Sequence, residues 1–304
     1  MDYIYVVAGL IGLFLGGEAL VRGSVGIARR MAIPPLLIGL TVVGFGTSTP
    51  ELLVSVQAAM RGVPDISIGN IVGSNIANIL LIVGLTSLVW PIRISGATLR
   101  RDTAVMVAAA LVLVPIFATG EIGRLPGLGL VAALAGYLTW AYLQPGPAAE
   151  DDDTAGPTSV AISTLWVAGG LVALMFGARF LVDGSVSIAR SLGASEAFIG
   201  LTIVAVGTSL PELATSIIAA FRRQSEIAIG NIVGSNIFNI FGIFGVTAII
   251  KPIPVADRFL VFDLPVMIAA TLGLTVLLLT RPVVGRILGA AVLALYVGYV
   301  WFAQ

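Results

Sequence analysis

Two glutamates, Glu51 and Glu212, lie deep inside apolar stretches of this 304-residue chain. Each closes a similar string: Gly46-Thr47-Ser48-Thr49-Pro50-Glu51 and Gly207-Thr208-Ser209-Leu210-Pro211-Glu212. A carboxylate surrounded by hydrocarbon is costly, so an acid kept there is a functional candidate by default. The alternative for a single such residue is a protonated glutamate bonded to a neighbouring helix. Two in matching strings favour a shared site. Each string also carries its own break. Proline lacks an N–H and clashes with the carbonyl four residues back, here that of Gly46 or Gly207, and glycine adds backbone freedom. The helix is predicted to break or kink at both places and to free carbonyl oxygens. Non-helical backbone at membrane depth is tolerated only where protein buries it or it lines a cavity. Where helix resumes, Thr47 and Ser48 lie near the face of Glu51, and Thr208 and Ser209 near that of Glu212.

Downstream, IGNIVGSNIANI (68–79) and IGNIVGSNIFNI (229–240) add Ser74 with Asn78 and Ser235 with Asn239. Each pair is spaced i, i+4 and so points to one face. Asn75 and Asn236 stand beside them, and interhelical hydrogen bonding accounts for these two equally well. The glycines of this motif read as close-packing positions. The combined donors are carboxylates, hydroxyls, amide oxygens and bare carbonyls, in a chain without His or Cys. Hard cations want such a set: calcium takes ~6–8 oxygens at ~2.3–2.6 Å, whereas magnesium demands tighter geometry and keeps its waters. Softer metals favour nitrogen or sulfur. Two carboxylates can be balanced by one calcium or by two sodium ions, and two alternative loadings of one charged site are a natural basis for exchange. Catalysis has less support. Ser48 near Glu51 could suggest hydrolysis, but there is no His, and the only lysine, Lys251, lies by a span end, so nothing in the membrane would activate a serine. The chain is expected not to be an enzyme and to need no cofactor.

The elements that position these residues follow from composition. Of the residues, 58% are hydrophobic and 11% charged, with a mean hydropathy of +1.07; a soluble domain is ~25% charged. Lipid is the expected surround. A zero net charge gives no electrostatic reason to expect nucleic acid, and no obligate protein partner is evident. A membrane helix needs ~20 mainly apolar residues. Ten candidate spans are found: 4–21, 33–60, 66–90, 103–119, 125–143, 160–182, 194–221, 226–250, 260–280 and 283–302. The first has no basic segment before it and no small-residue cleavage site after it, and is read as a retained helix.

Adding 161 to each number superposes the first half on the second, without a gap from Val6 to Ile92. Such internal duplication is the sign of a repeat architecture. Five spans per half is an odd number, so the second copy must enter the membrane inverted, the arrangement of secondary transporters with a substrate site at the repeat interface. The expectation is an all-α integral membrane protein of ten transmembrane helices. A first five-helix repeat (1–144) and a second, inverted one (160–304) are joined by an acidic linker (145–159). Ten of the sixteen Arg and Lys fall on the side holding Arg22, Arg93 and Arg286, which makes that face cytoplasmic. Both termini are then extracellular and the linker cytoplasmic. Glu18 with Arg22, and Arg179 with Asp183, read as i, i+4 salt bridges. Asp102 and Asp263, each near the start of a span, read as helix caps.

At these residues the sequence resembles the sodium/calcium exchanger family of the cation/calcium antiporter superfamily, in its prokaryotic-type form with two α-repeats. GTSTPELLVS with GNIVGSNIANI, and GTSLPELATS with GNIVGSNIFNI, match the paired family motifs, over about 36–85 and 197–246. The resemblance implies calcium held by the carboxylates of Glu51 and Glu212 and the carbonyls of Thr47 and Thr208. Flanking sodium sites would use Ser48, Ser235 and the Gly44 carbonyl, and Ser209, Ser74 and the Ala205 carbonyl. Asn78 and Asn239 would line the centre. Alternating access would come from the first and sixth spans, which carry Gly12, Gly16, Gly17, Gly169, Gly170 and Gly177, sliding over a fixed core. Some members have Asp where Asn239 stands, and the neutral amide argues against potassium co-transport. A proton/calcium antiporter of the same superfamily and a passive channel are the rival readings.

Overall fold

The computed structural model describes residues 2–93, 98–144, 159–193 and 205–303. The apolar runs fold as helices: α1 (Asp2–Arg30), α2 (Pro35–Thr47), α3 (Thr49–Met60), α4 (Pro64–Val89), α5 (Thr98–Ala118), α6 (Arg124–Leu143), α7 (Val160–Ser191), α8 (Ala205–Gly207), α9 (Leu210–Phe221), α10 (Ser225–Ile250), α11 (Phe259–Thr280) and α12 (Arg286–Ala303). Prolines fall in the first turns of α2, α3, α4 and α9, where a missing N–H breaks no intrahelical bond. Two-residue strands β1 (Ile92–Arg93), β2 (Glu121–Ile122), β3 (Ile253–Pro254) and β4 (Val283–Val284) lie between helices.

The ribbons reveal how the halves sit. β1 pairs with β4 and β2 with β3, both antiparallel. Helix α5 runs from β1 to β2, and α11 from β3 to β4, so these counterpart helices lie antiparallel with both ends tied. The counterparts α1 and α7 do the same. A Cβ on Gly9 would meet the Leu181 backbone at 2.5 Å, one on Gly16 that of Leu174 at 2.7 Å, and one on Gly23 the Ser163 carbonyl at 2.6 Å. Gly12, Gly170 and Gly177 belong to this close contact. Gly17 instead faces Ile218 of α9, and Gly169 meets no described atom within 4 Å.

Corresponding turns also share geometry. Gly62 ends α3 at φ +78°, and its counterpart Arg223 ends α9 at φ +60°. At each, two N–H groups bond back across the last turn: Gly62 to Ala59 and Val63 to Ala58, Arg223 to Ala220 and Gln224 to Ala219, at 2.8–3.0 Å. This left-handed cap favours glycine, yet the repeat imposes it on an arginine. In α4 and α10 the helix widens to π geometry over Asn78–Ile82 and Asn239–Phe244, each beginning on a candidate site asparagine. Such widenings concentrate at functional sites.

Several expectations change. Among the described residues seven helices are long and apolar enough to cross a membrane, and α2 with α3, bent by 44°, makes an eighth. Of the two other expected spans, the one at 194–221 begins in residues 194–204, outside the described set, and the last is the shorter helix Arg286–Phe302. The linker lies outside it too, except Ser159, which caps α7 by accepting from Ile162 N–H at 3.2 Å. Glu18 does not take Arg22. Arg222 approaches from α9 to 2.6 Å, and Arg22 lies over the Trp166 ring at 5.3 Å. Arg179 and Asp183 are 3.7 Å apart and exposed. Asp102 and Asp263 are not caps but buried residues inside α5 and α11. Asp102 accepts from Arg101 Nε (2.7 Å) and Tyr137 Oη of α6 (3.2 Å). Asp263 accepts from Tyr299 Oη of α12 (2.9 Å), with Arg258 Nε at 3.3 Å. A buried carboxylate needs such donors, and the tertiary neighbour supplies them better than a helix end.

Candidate ion-binding centre

The chain breaks where proline and glycine place the break. Between α2 and α3, Ser48 takes φ −83°, ψ 7°; between α8 and α9, Ser209 takes φ −88°, ψ 5°. Pro50 and Pro211 have no N–H to return to Gly46 and Gly207. Helix resumes as Leu52 N–H bonds to the Ser48 carbonyl (3.2 Å) and Leu213 N–H to that of Ser209 (3.0 Å). Each glutamate therefore sits in the first turn of a new helix, and both are only 1% exposed.

The helices bring the candidate residues of opposite halves together. Ser48 Oγ donates to Glu212 Oε1 at 2.9 Å. Ser235 Oγ donates to the Gly44 carbonyl at 3.2 Å, which also accepts from Ser48 N–H at 3.2 Å. Glycine at 44 eases this approach, because a Cβ there would meet Ser235 N at 3.0 Å and that neighbour would have to give by a few tenths of an ångström. Asn239 Nδ2 donates to Asn75 Oδ1 at 3.1 Å, joining α10 to α4, while Asn236 bonds within its own helix, to Ile232 O at 2.7 Å. Thr47, Ser74 and Asn78 are buried, and Thr208 is half-buried at the second break. Ala205 opens α8. Helix α3, carrying Glu51, packs on the π segment that opens at Asn239, and α9, carrying Glu212, on the one that opens at Asn78.

The unmatched oxygens indicate what the centre could hold. Glu51 Oε2, Glu212 Oε2, Ser209 Oγ, Asn78 Oδ1 and Asn239 Oδ1 are buried with no hydrogen-bond partner among the described residues. An unsatisfied buried polar atom costs ~1–3 kcal/mol, and all five are lone-pair donors of the kind a hard cation takes. No three His, Cys, Asp or Glu side chains gather among the described residues. The formal charge therefore rests on Glu51 and Glu212, and neutral oxygens complete the set.

Sequence reasoning overlooked four residues that hold the glutamates in place. Asn70 Nδ2 donates to the Glu51 carbonyl (3.0 Å) and to Ser55 Oγ (2.8 Å). Asn231 Nδ2 donates to the Glu212 carbonyl (3.2 Å) and to Ser216 Oγ (2.9 Å). All four obey the 161-residue offset, a signal that was available in the duplicated strings.

A family profile described as sodium/calcium exchanger protein matches residues 1–143 and 162–304. The sodium/calcium exchanger MaX1 of Methanosarcina acetivorans is 30% identical, over 98% of this chain and 97% of its own. The Ca(2+)/H(+) antiporter ChaA of Bacillus subtilis is 26% identical, over 77% and 73%. The solved structure of the sodium-calcium exchanger NCX_Mj superposes with a TM-score of 0.87 at 33% identity, covering 100% of this chain and 99% of that one. With the broken helices, the paired glutamates and the apolar spans, these matches establish the chain as a multi-pass membrane transporter belonging to the sodium/calcium exchanger family.

Proposed function

We propose that this protein is a secondary antiporter that exchanges sodium for calcium by alternating access. The observation that carries the reading is the pair of buried carboxylates, one from each half, each with an unpaired oxygen among hydroxyls, amides and carbonyls. Calcium sits between Glu51 and Glu212, with the carbonyls of Thr47 and Thr208. Sodium takes Ser48, Ser235 and the Gly44 carbonyl on one side, and Ser209, Ser74 and the Ala205 carbonyl on the other. Asn78 and Asn239 line the centre. The contacts of Ser235 Oγ and Ser48 N–H with the Gly44 carbonyl support the first sodium set.

The chain is read as ten spans in two inverted five-helix repeats, 1–144 and 160–304, joined by the linker at 145–159. The termini face outward and the linker lies in the cytoplasm. The antiparallel pairing of α5 with α11 and of α1 with α7 supports the inversion. The glycine contact between α1 and α7 suits a sliding pair, since small residues let helix backbones approach closely.

Radioactive calcium uptake into sodium-loaded proteoliposomes tests the reading. The expected result is uptake that requires internal sodium and ignores an imposed pH gradient. The match to ChaA, a Ca(2+)/H(+) antiporter by name, makes proton coupling the second reading, and uptake driven by a proton gradient without sodium would establish it. Uptake with no counter-ion would mean a channel.

A further inference from the structure

The paired helices α1 and α7 meet the core unequally at their two ends. On the side read as cytoplasmic, α1 lies against α9. A Cβ on Gly17 would meet Ile218 Cδ1 at 2.5 Å, and Ile218 is 7% exposed. Beside this contact Arg222, at the end of α9, donates twice to Glu18: Nε to Oε2 at 2.9 Å and Nη2 to Oε1 at 2.6 Å. Two parallel bonds of this kind fix geometry as well as charge. Arg22, one turn further along α1, is held over the Trp166 ring of α7 and leaves Glu18 to Arg222. The 161-residue offset names the matching contact on the other side. It would join α7 to α3, with Ala178 for Gly17, Gln57 for Ile218, Arg179 for Glu18 and Arg61 for Arg222. No comparable packing joins α7 to α3 among the described residues. Gln57 is exposed, and so are Leu53, one turn before it, and the Arg179 side chain. One side is thus closed by opposite charges. The other is open and would bring two positive charges together, a repulsion that Asp183 tempers from 3.7 Å.

Resting on the exchanger reading and its orientation, we propose that the Glu18–Arg222 ion pair clasps the sliding helix α1 to the core on the cytoplasmic side and biases the carrier toward its outward-open conformation. Helices α1 and α7 touch backbone to backbone through their glycines, so they move over the core as one body. Closing α7 on α3 must then draw α1 away from α9. The ion pair exists in one of the two conformations and is lost in the other, and the duplicated positions Arg179 and Arg61 offer no attraction in exchange. Removing the clasp lowers the outward-open population. The apparent affinity at each face falls with the population competent to bind there, so the ratio of apparent calcium affinities at the two faces reports the clasp. A change in the intrinsic affinity of the shared site cancels in that ratio.

The experiment uses the chain's lack of cysteine. Gln57→Cys reports the open side between α7 and α3, and Ile218→Cys the closed contact between α1 and α9. Each is labelled with a membrane-impermeant maleimide from its own side of reconstituted vesicles, without an ion gradient. An ion pair partly open to water corresponds to about a threefold change. Glu18→Gln is expected to raise labelling at Ile218→Cys about threefold while labelling at Gln57→Cys falls. Arg61→Glu, which gives Arg179 an opposite charge to meet, should move both rates in the same directions by acting on the other side. Glu18→Arg combined with Arg222→Glu should return both rates toward those of the parent. The affinity ratio from sodium-dependent calcium transport should shift about threefold toward the cytoplasmic face in Glu18→Gln. Unchanged labelling in Glu18→Gln, or faster labelling at both cysteines together, would overturn the proposal. The labelling does not depend on which ions are exchanged. The expected labelling in a protein that moves other ions would therefore support the clasp and overturn the exchanger reading alone.

Discussion

At Ser48 and Ser209 the backbone turns through nearly the same angles, yet Ser48 gives its proton to Glu212 at 2.9 Å while Ser209 Oγ has no partner among the described residues. The contrast extends outward. Ser48 N–H bonds four residues back to Gly44, whereas Ser209 N–H bonds three back to Val206 at 3.1 Å. Phe45 stacks on Phe238 across the halves with ring centroids 4.3 Å apart; the duplicated positions are Val206 and Ala77. The first break is thus drawn against α10 by hydrogen bonds and an aromatic pair, and the second break lacks the same aromatic pair. Local sequence imposes one backbone on both copies, and the packing around them is free to differ.

The largest effect should come from the residues on which the halves agree. Glu51→Gln and Glu212→Gln are each expected to reduce calcium transport about 30-fold or more, since truncating one charged partner of a buried site costs ~2–5 kcal/mol. Flux in proteoliposomes measures it. Loss in only one of the two variants would show that the halves contribute unequally to calcium.

The serines separate the halves. Ser48→Ala removes a hydrogen bond to a buried carboxylate, worth ~1.5–3 kcal/mol, and should lower thermal stability in detergent accordingly. Ser209→Ala breaks no such bond and should leave the melting temperature near that of the parent while weakening the sodium dependence of transport. Equal destabilisation by the two would break the comparison.

The aromatic pair gives the smallest effect. Phe45→Val copies the second half into the first. An aromatic pair is worth ~0.5–1.5 kcal/mol beyond its buried area, so a modest fall in the melting temperature in detergent is expected. An unchanged melting temperature would mean that the stack adds nothing beyond the area it buries.

Much of this centre was legible in the chain. Proline and glycine act on their own backbone, so the breaks before Glu51 and Glu212 were predictable from six residues each. The duplication pointed to the paired acids, and the scarcity of charge pointed to lipid. The salt bridge assigned to Glu18 was misplaced because spacing along one helix says nothing about Arg222, which arrives from α9. Asp102 and Asp263 were misassigned for the same reason, since their tyrosine partners lie 35 and 36 residues away.

What the sequence determined by itself is what short-range forces decide: which segments are apolar enough for helix in lipid, where a missing N–H interrupts them, and which oxygen-bearing residues the interruption carries. What only the tertiary structure decided is which of two closely similar motifs is engaged. Ser48 and Ser209 share the Gly-Thr before them and the Pro-Glu that follows one residue on, and have different neighbours in space. A hydroxyl's partner is set by whichever acceptor lies within ~3 Å, and at this centre that acceptor comes from the other half.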